Sequence, residues 1–359
     1  MNTLCEMLIS MLPESADAAL IISKQNKRYF AAFPSDDCYL LITRESAYLI
    51  VDFRYTEDAE AKSDGCKVIT YKDLRETLGE LCKRHALQSI MFEGSAFCLN
   101  EAARIEDMLS SAGCRAIKTA ELDGIIEKLR ITKTDKEIGH IRRAQFIAEQ
   151  ALMQTLPLVK EGVYESELAL ELEYRMRKLG AEGVSFDLIV IAGAKTSMPH
   201  GVPGDNRIMR GDFITFDIGT RFQGYCSDMT RTYAFGEVSE KQKRIYETVR
   251  QAQQLGLEAV RAGVRCCDVD SAARTYITHA GFGEYFGHST GHGVGLDIHE
   301  APAVSSRNEA ELQSGMVITV EPGIYLPGEF GVRIEDMVVV TTDGCINLAA
   351  LPKELTVLG

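Results

Sequence analysis

The chain has 359 residues, of which 45% are hydrophobic and 25% are charged, as in an ordinary soluble globular protein. This length exceeds what one hydrophobic core usually holds, so we expect two domains. The formal net charge of −13 argues against nucleic-acid binding, which requires a basic face. No apolar run is long enough to span a bilayer, so we expect no membrane segment.

The N-terminal segment and the cysteines predict a cytoplasmic protein. Residues 1–20 contain Glu6, Glu14 and Asp17 but no Lys or Arg, which is not typical of a signal peptide. The ten cysteines are scattered and form no C-x-x-C pair. We therefore expect reduced thiols rather than a disulfide scaffold.

The first third of the chain alternates short apolar runs with helical patterns, which predicts an α/β domain. We assign this domain to residues 1–128. The apolar runs are at 19–22, 39–42 and 47–51, and the helical patterns are at 72–85 and 99–110.

A second domain is predicted from residue 129 to residue 359, with the boundary between residues 123 and 133. Thr134 and Glu137 have the spacing of a capping box, and the helix that they begin is closed by Pro157. The remainder predicts an α+β domain with antiparallel hairpins. Its further helices are expected at 166–179, 239–262 and 268–280, and its last strands at 316–340.

Two acidic residues lie in neighbouring β-rich runs of this second domain. Asp217 ends the run 213–217, and Asp228 lies in the run 225–233. A hairpin turning at residues 222–224 would place Asp217 directly opposite Asp228, where like charges repel and require a cation. Taken alone, the pair has an alternative interpretation, in which Asp217 begins a turn and Asp228 is solvated.

The same arrangement recurs further along the chain. Glu321 ends the apolar run 316–321, and Glu335 lies in the next strand, where it shares a face with Arg333. Buried carboxylates must be paired or must coordinate a metal ion. The nearest cations in the sequence are Arg231 and Arg333.

A glycine-rich loop carries three of the seven histidines, namely His288, His292 and His299. Such clustering indicates a functional site more than a structural role, and His200 is a fourth candidate. The His-Glu pair at 299–300 is not the zincin motif H-E-x-x-H, because position 303 is Ala.

Four carboxylates and at least one imidazole together predict a two-metal site. Carboxylates that bridge two divalent ions hold them about 3.5–4 Å apart. Oxygen-rich ligation with one histidine suits manganese, which we expect, with cobalt or zinc as alternatives. The bridging water would be the nucleophile, and its target a carbonyl or phosphoryl group.

The second domain resembles the pita-bread metallopeptidases, in the branch that contains aminopeptidase P, prolidase and creatinase. The first domain resembles the creatinase-type domain more loosely, through residues 48–55, and residues 129–133 resemble the family's junction segment. The resemblance of the second domain is carried by five ordered segments: Met198-Pro-His200-Gly, Phe216-Asp217-Ile-Gly, Tyr225-Cys-Ser-Asp228-Met-Thr-Arg231, Gly291-His292-Gly-Val-Gly-Leu-Asp-Ile-His299-Glu, and Val320-Glu321-Pro-Gly-Ile-Tyr325 with Gly331-Val-Arg333-Ile-Glu335.

The resemblance implies a homodimeric peptidase that acts on peptides with proline at the second position. In the ligand set that it implies, Asp217 binds one ion, Asp228 and Glu335 bridge both ions, and His292 and Glu321 complete the set. Glu321 also receives the water's proton, and His299 and His200 hold the substrate backbone and polarise the carbonyl. The proline ring would lie against Phe186, His288, Tyr325 and Arg333.

One departure from the family leaves aminopeptidase P and prolidase as open alternatives. Many relatives have Pro-Arg-Leu-Ser after His-Glu, and in some prolidases that arginine contacts the C-terminal carboxylate of a dipeptide. This chain has Ala303 there, and Arg307 is a possible substitute. The segment before Pro199-His200 also differs from the family's usual Ser-Gly-Xaa-Asn.

Three other functions are weighed against the peptidase. A creatinase-like hydrolase is disfavoured because the metal-ligand set is complete. A methionine aminopeptidase would leave the large N-terminal domain unexplained. A non-catalytic module that binds peptides or proteins is disfavoured because all five ligand positions carry Asp, His or Glu.

Overall fold

A six-stranded mixed sheet is the centre of the first unit, Met1–Arg130, in the computed structural model, which describes residues 1–359. Its helices are α1 (Thr3–Met11), α2 (Lys24–Ala31), α3 (Thr56–Lys62), α4 (Leu74–Arg84), α5 (Leu99–Ser111) and α6 (Glu121–Arg130). Its strands are β1 (Ala18–Ile21), β2 (Cys38–Thr43), β3 (Ala47–Val51), β4 (Lys67–Thr70), β5 (Ser89–Phe92) and β6 (Arg115–Ile117).

The strand order of this sheet is β4-β3-β2-β1-β5-β6, and helices cover both faces. Alternate residues of β1 enter different cores, as the period of two in a strand requires. Ala18 and Leu20 pack with α4 and α5, whereas Ala19 and Ile21 pack with α1, α2 and α6. The predicted α/β architecture is confirmed.

The second unit, Ile131–Gly359, combines two pairs of helices with several small sheets. Its helices are α7 (Asp135–Thr155), α8 (Glu165–Lys178), α9 (Glu240–Ala259) and α10 (Cys266–His279). Its first strands are β7 (Gly183–Val184), β8 (Ile189–Ala192), β9 (Phe213–Ile218), β10 (Thr220–Phe222), β11 (Tyr225–Cys226) and β12 (Met229–Phe235). The later strands are β13 (Gly291–Gly293), β14 (Glu300–Val304), β15 (Val317–Val320), β16 (Gly323–Leu326), β17 (Phe330–Arg333), β18 (Asp336–Val340), β19 (Cys345–Asn347) and β20 (Val357–Leu358).

The strands of this unit form sheets ordered β20-β12-β9-β8, β14-β13-β15-β18-β19, β11-β10-β7 and β16-β17. Helices α7 and α8 pack on β8, β9 and β12, and α9 and α10 pack on β15 to β18. The predicted α+β architecture is confirmed. The predicted capping box begins α7, since Thr134 and Glu137 satisfy each other's backbone N–H groups.

Apolar residues on either side of each acidic residue fix the direction of the acidic side chain. Phe216 and Ile218 enter the core under α7 and α8, so Asp217 between them points to the opposite face. Val332 and Ile334 enter the core under α9 and α10, which leaves the alternating Arg333 and Glu335 on the other face. These uncovered faces hold the candidate site.

No helix of the structure combines the length and the apolar composition that a membrane crossing requires.

Candidate active site

A cavity of about 650 Å³ in the second unit brings the candidate residues together. The residues that the resemblance assigns to the metal ligands, the catalytic groups and the proline wall all line this cavity except Tyr325, which lies behind it and contacts its wall. Apolar side chains line it as well, including Leu188, Val202 and Ile298. It therefore combines a polar, acidic floor with apolar walls, as small-molecule sites usually do.

The hairpin that carries the first two acids has a different register from the one predicted. Asp217 lies opposite Thr230 rather than Asp228, so the prediction of a direct pair is wrong. The turn has two residues, Gln223 and Gly224, and both have positive φ, as type I′ hairpins require. The resulting shift of two residues preserves the face, so Asp228 remains a diagonal neighbour of Asp217.

The second pair of acids faces the first across the junction of two sheets. Val320 pairs with Asp336 in the β15–β18 ladder, and extending this register by one residue places Glu321 opposite Glu335. The Glu335 N–H donates to the Thr230 carbonyl oxygen at 3.1 Å, which joins this ladder to the strand of the first pair. All four acids thereby line the same cavity.

His292 presents an unprotonated nitrogen to these acids. Its Nδ1 lies 3.0 Å from the Gly293 carbonyl oxygen, which can only accept, so Nδ1 carries the proton. Burial lowers the pKa of His292 to about 4, which keeps the ring neutral. Nε2 then has a bare lone pair, and it lies 3.5 Å from Asp228 Oδ2 and 3.4 Å from Glu321 Oε1. Lone pairs at such distances repel unless a proton or a metal cation lies between them.

Burial disfavours the charged forms of three of these acids. Burial, and then the neighbouring carboxylates, raise the pKa values of Asp228 and Glu335 well above their usual range. Burial raises the pKa of Glu321 to about 7. Asp217 Oδ1 is buried without a hydrogen-bond partner. A cation bound among these groups would offset both their burial and the mutual repulsion of the carboxylates.

The donor set fits a divalent metal ion. Ligand atoms of Asp228, His292 and Glu335 all lie within 4.8 Å of one another. The orphaned oxygen of Asp217 supplies a further donor at the same cavity. Carboxylate oxygens with one neutral imidazole are ligands that first-row divalent ions accept.

Of the two arginines that the sequence placed near the acids, only Arg333 reaches the site. Its Nη2 donates to Asp217 Oδ2 at 2.6 Å, and its Nε donates to Thr230 Oγ1 at 3.1 Å. Arg231 lies on the opposite face of its strand and pairs with Asp336 Oδ1 at 2.7 Å. The Arg231–Asp336 ion pair therefore has a structural role, and of the two arginines it is Arg333 that contacts a site acid.

Tyr325 links Arg333 to His288 through a directed chain of hydrogen bonds. Arg333 Nη1 donates to Tyr325 Oη at 2.8 Å, and Tyr325 Oη lies 2.9 Å from His288 Nε2. His288 Nδ1 faces the Ser289 carbonyl oxygen at 2.8 Å, so Nδ1 is the donor and Nε2 accepts from the tyrosine. The three side chains therefore hold one another in fixed orientations.

The remaining nominated residues lie at the more exposed part of the cavity. His299 and His200 are both exposed, and the ring of His299 lies 4.4 Å from the ring of His292 between centroids. Phe186 is half-buried and packs on Gly219, where a Cβ would lie 2.9 Å from its ring and 2.0 Å from the Ser227 carbonyl oxygen. Only glycine fits at position 219, which lies opposite Asp228 when the register of this hairpin is extended by one residue.

Two threonines belong to the site but were not nominated from the sequence. Thr230 Oγ1 donates to Glu335 Oε2 at 2.7 Å, and Thr319 Oγ1 donates to Glu321 Oε1 at 3.1 Å. Thr319 Oγ1 also accepts from the His292 N–H at 3.0 Å. Each threonine is two residues from an acid on the same strand, and this spacing, which places both on one face, is the signal that could have found them.

Thr230→Val is expected to weaken metal binding about 10–100-fold, because groups that orient a ligand carboxylate affect affinity by this much. Valine keeps the shape but removes the donor to Glu335 and the acceptor for Arg333. Metal titration by calorimetry measures the change. Thr215→Val is the matched control, since Thr215 is buried on the same hairpin and its side chain contacts Thr232 rather than a site acid. Equal affinities in both variants would contradict the role of Thr230.

The fold and the cavity define the class of the protein as a hydrolase of the metal-dependent type, with acids and a histidine positioned by paired strands. Comparison with known proteins gives the family. Residues 139–342 match metallopeptidase family M24, and residues 10–132 match the creatinase/prolidase N-terminal domain. The chain belongs to metallopeptidase family M24, whose members use divalent metal ions.

Relatives match the chain over almost its full length. A protein of Pyrococcus horikoshii named Xaa-Pro dipeptidase is 39% identical, over 99% of this chain and 99% of the relative. The structure of an Xaa-Pro dipeptidase from Bacillus anthracis superposes with a TM-score of 0.94 at 41% identity, covering 99% of both chains. An X-Pro aminopeptidase structure from Thermotoga maritima superposes with a TM-score of 0.91 at 37% identity, again covering 99% of both.

Proposed function

We propose that this metallopeptidase hydrolyses the bond between an N-terminal residue and a following proline. The observation that carries the proposal is the cavity in which four buried or half-buried acids lie together with His292, whose bare Nε2 faces Asp228 and Glu321. Membership of family M24 and the names of the full-length relatives support the same reaction. The complete donor set also favours a catalyst over a non-catalytic binding module and over a creatinase-like hydrolase.

We assign two divalent ions, with manganese preferred, to this donor set. Asp217 would hold one ion, Asp228 and Glu335 would be shared, and His292 and Glu321 would complete the ligands. The free Oδ1 of Asp217 and the mutual approach of Asp228, His292 and Glu335 support this arrangement. Divalent ions bound there lower the pKa of a water molecule and polarise a carbonyl group.

The side chains of the chain perform the remaining steps. Glu321 accepts the proton of the attacking water and delivers it to the prolyl nitrogen as the peptide bond breaks. Thr319 orients Glu321 for this transfer by donating to its Oε1. His299 and His200 hold the substrate backbone and donate hydrogen bonds to the carbonyl oxygen as negative charge develops on it.

The preference for proline is assigned to the wall built from Phe186, His288, Tyr325 and Arg333. Proline presents an apolar ring and no N–H, so a wall of ring edges selects it by shape. The hydrogen-bond chain from Arg333 through Tyr325 to His288 keeps this wall rigid. Burial lowers the pKa of His288 to about 4, so the imidazole ring that contacts the proline is uncharged.

We further propose that peptides longer than a dipeptide are the better substrates. A dipeptide would bring the proline carboxylate into a cavity whose lining offers it no uncommitted cation: four of the acids there, Asp217, Asp228, Glu321 and Glu335, are assigned to the metal ions, and Asp187 is a fifth acid of the lining. Arg333 is the one permanently charged cation of this lining, and it is already bonded to Asp217. Ala303 lies on the exposed wall, and Arg307 is not part of the lining. In a longer peptide the carboxylate is replaced by a neutral amide.

Assays with manganese and peptides of different lengths test both parts of this proposal. We expect kcat/KM for Xaa-Pro-Yaa-Zaa to exceed that for Xaa-Pro by about tenfold or more. This ratio corresponds to the free energy of one hydrogen bond to a charged group. Xaa-Ala-Yaa should be cleaved poorly. Ala303→Arg should raise activity on the dipeptide, whereas Ala303→Gln, the neutral control, should not. Faster cleavage of the dipeptide by the unmodified protein would contradict the length preference, and no cleavage of any proline peptide would contradict the peptidase assignment.

A homodimer in the cytoplasm is also proposed, by resemblance to the family. Sedimentation or light scattering of the purified protein measures the oligomeric state directly. A monomer at the concentrations used for activity assays would contradict the dimer and leave the catalytic proposal intact.

A further inference from the structure

We infer that Lys133 and Glu300 form a buried ion pair that positions His299 for catalysis. The inference rests on the proposed function, since it assigns His299 to the substrate carbonyl. Neither residue lines the cavity, so both would act through the loop that carries His299. The site residues nominated from the sequence include neither of them.

The Glu300 carboxylate lies inside the turn that precedes it. Its Oε1 accepts from the Asp297 N–H at 3.0 Å, and its Oε2 accepts from Lys133 Nζ at 3.0 Å. A Cβ built on Gly295 would lie 2.5 Å from Oε2, so the carboxylate packs directly on the glycine backbone. The carboxylate is thus the contact around which residues 295–299 turn.

Lys133 is held in place independently of Glu300. Its backbone N–H donates to the Gly315 carbonyl oxygen at 2.9 Å, and its Nζ also donates to the Ile131 carbonyl oxygen at 3.3 Å. The side chains of the two partners are 1% and 9% exposed, so neither charge is compensated by bulk water. Removing one partner of such a pair leaves the other charge buried and alone, which is strongly unfavourable.

The position of His299 follows from this turn. His299 directly precedes Glu300, which begins β14 and pairs with Gly293 of β13. One end of the turn is therefore fixed by the ladder and the other by the Glu300 carboxylate. His299 itself is exposed to the cavity, and its ring meets that of His292 edge to face. Displacing a catalytic group by about 1 Å can lower the reaction rate about 100-fold. The contacts that anchor this turn therefore affect the rate through the position of His299.

A set of variants assayed with manganese and an Xaa-Pro-Yaa-Zaa peptide tests the inference. Lys133→Met is expected to lower kcat about 100-fold while the metal content stays that of the unmodified protein. Lys133→Met/Glu300→Gln, which removes both charges and keeps an acceptor for the Asp297 N–H, should recover at least about tenfold of that loss. Lys136→Met is the matched control, because Lys136 is an exposed lysine three residues away.

Coupling to His299 separates positioning from a merely structural role. His299→Ala/Lys133→Met should be no less active than His299→Ala alone, because a pair that acts through His299 has nothing left to position. Losses that multiply in the double variant, or a Lys133→Met variant within about threefold of the unmodified protein, would overturn the inference. If Lys133→Met does not fold, Glu300→Gln with and without His299→Ala gives the same comparison. Failure of the unmodified protein to cleave any proline peptide would instead count against the proposed function.

Discussion

Asp228→Asn is expected to abolish peptidase activity and, at the same time, to stabilise the metal-free protein. Loss of a shared ligand should reduce kcat/KM by at least about 10³-fold, which corresponds to about 4 kcal/mol of transition-state stabilisation. Without metal, the asparagine removes one of several carboxylates that repel each other in a buried site. The same substitution therefore changes activity and stability in opposite directions.

Thermal unfolding with and without manganese measures the second effect. Metal at about 100 times its Kd stabilises the folded state by about 2.7 kcal/mol, which raises Tm by about 5–10 °C for a domain of this size. We expect this rise in the unmodified protein and a much smaller one in Asp228→Asn, whose metal-free Tm should be the higher of the two. Asp343→Asn, which removes an exposed acid of the same unit, is the control and should show the normal rise.

An equal metal-induced rise in Asp228→Asn would contradict its assignment as a ligand. A lower Tm of the metal-free variant would show that Asp228 stabilises the fold by some contact other than metal binding. Full activity in this variant would remove the metal assignment altogether.

The sequence predicted which faces carry the acids, because that depends only on the period of two along a strand. Arg333 and Glu335 alternate with Val332 and Ile334, and these apolar residues are fully buried in the core. Burial of the apolar set therefore forces the charged set into the cavity. This local argument needs no knowledge of which strands pair.

The register of the first hairpin could not be predicted in the same way. Type I′ turns favour Asn, Asp or Gly at the first central position, and this chain has Gln223 there with a φ of +50°. Without the usual signal, the predicted register was displaced by two residues, with Asp217 opposite Asp228 instead of Thr230. The error preserved the face of Asp228, because a change of two residues in register returns every side chain to the same side.

Contacts between distant segments were the other part beyond sequence reasoning. Arg333 and Asp217 are 116 residues apart, and their pairing depends on how the two ladders join through Glu335 and Thr230. Lys133 and Glu300 are 167 residues apart and belong to segments with no shared periodicity. Long side chains reach partners that only the packed fold determines.

Arg333→Met is expected to lower kcat/KM by about 100-fold on alanine peptides and by at least as much on proline peptides, and to weaken metal binding. The guanidinium is buried, and its three nitrogens donate to Asp217, Tyr325 and Thr230. Its charge is thus committed to orienting a proposed ligand and the tyrosine, and the methionine keeps the length but none of these bonds. When Asp217 is no longer oriented, metal binding weakens, and this lowers activity whichever residue follows the scissile bond.

Tyr325→Phe is the matched comparison, because it leaves the bond between Arg333 and Asp217 intact and removes only the hydroxyl that orients His288. It should bind metal normally, because the site acids keep their contacts. It should lose activity mainly on proline peptides, because His288 in the wall that contacts the proline ring is no longer held in place. Metal titration and kcat/KM on Xaa-Pro-Yaa and Xaa-Ala-Yaa distinguish the two variants. If Arg333→Met instead binds metal normally and loses activity only on proline peptides, its role is confined to the wall, and the ion pair with Asp217 is dispensable for holding the metal ions.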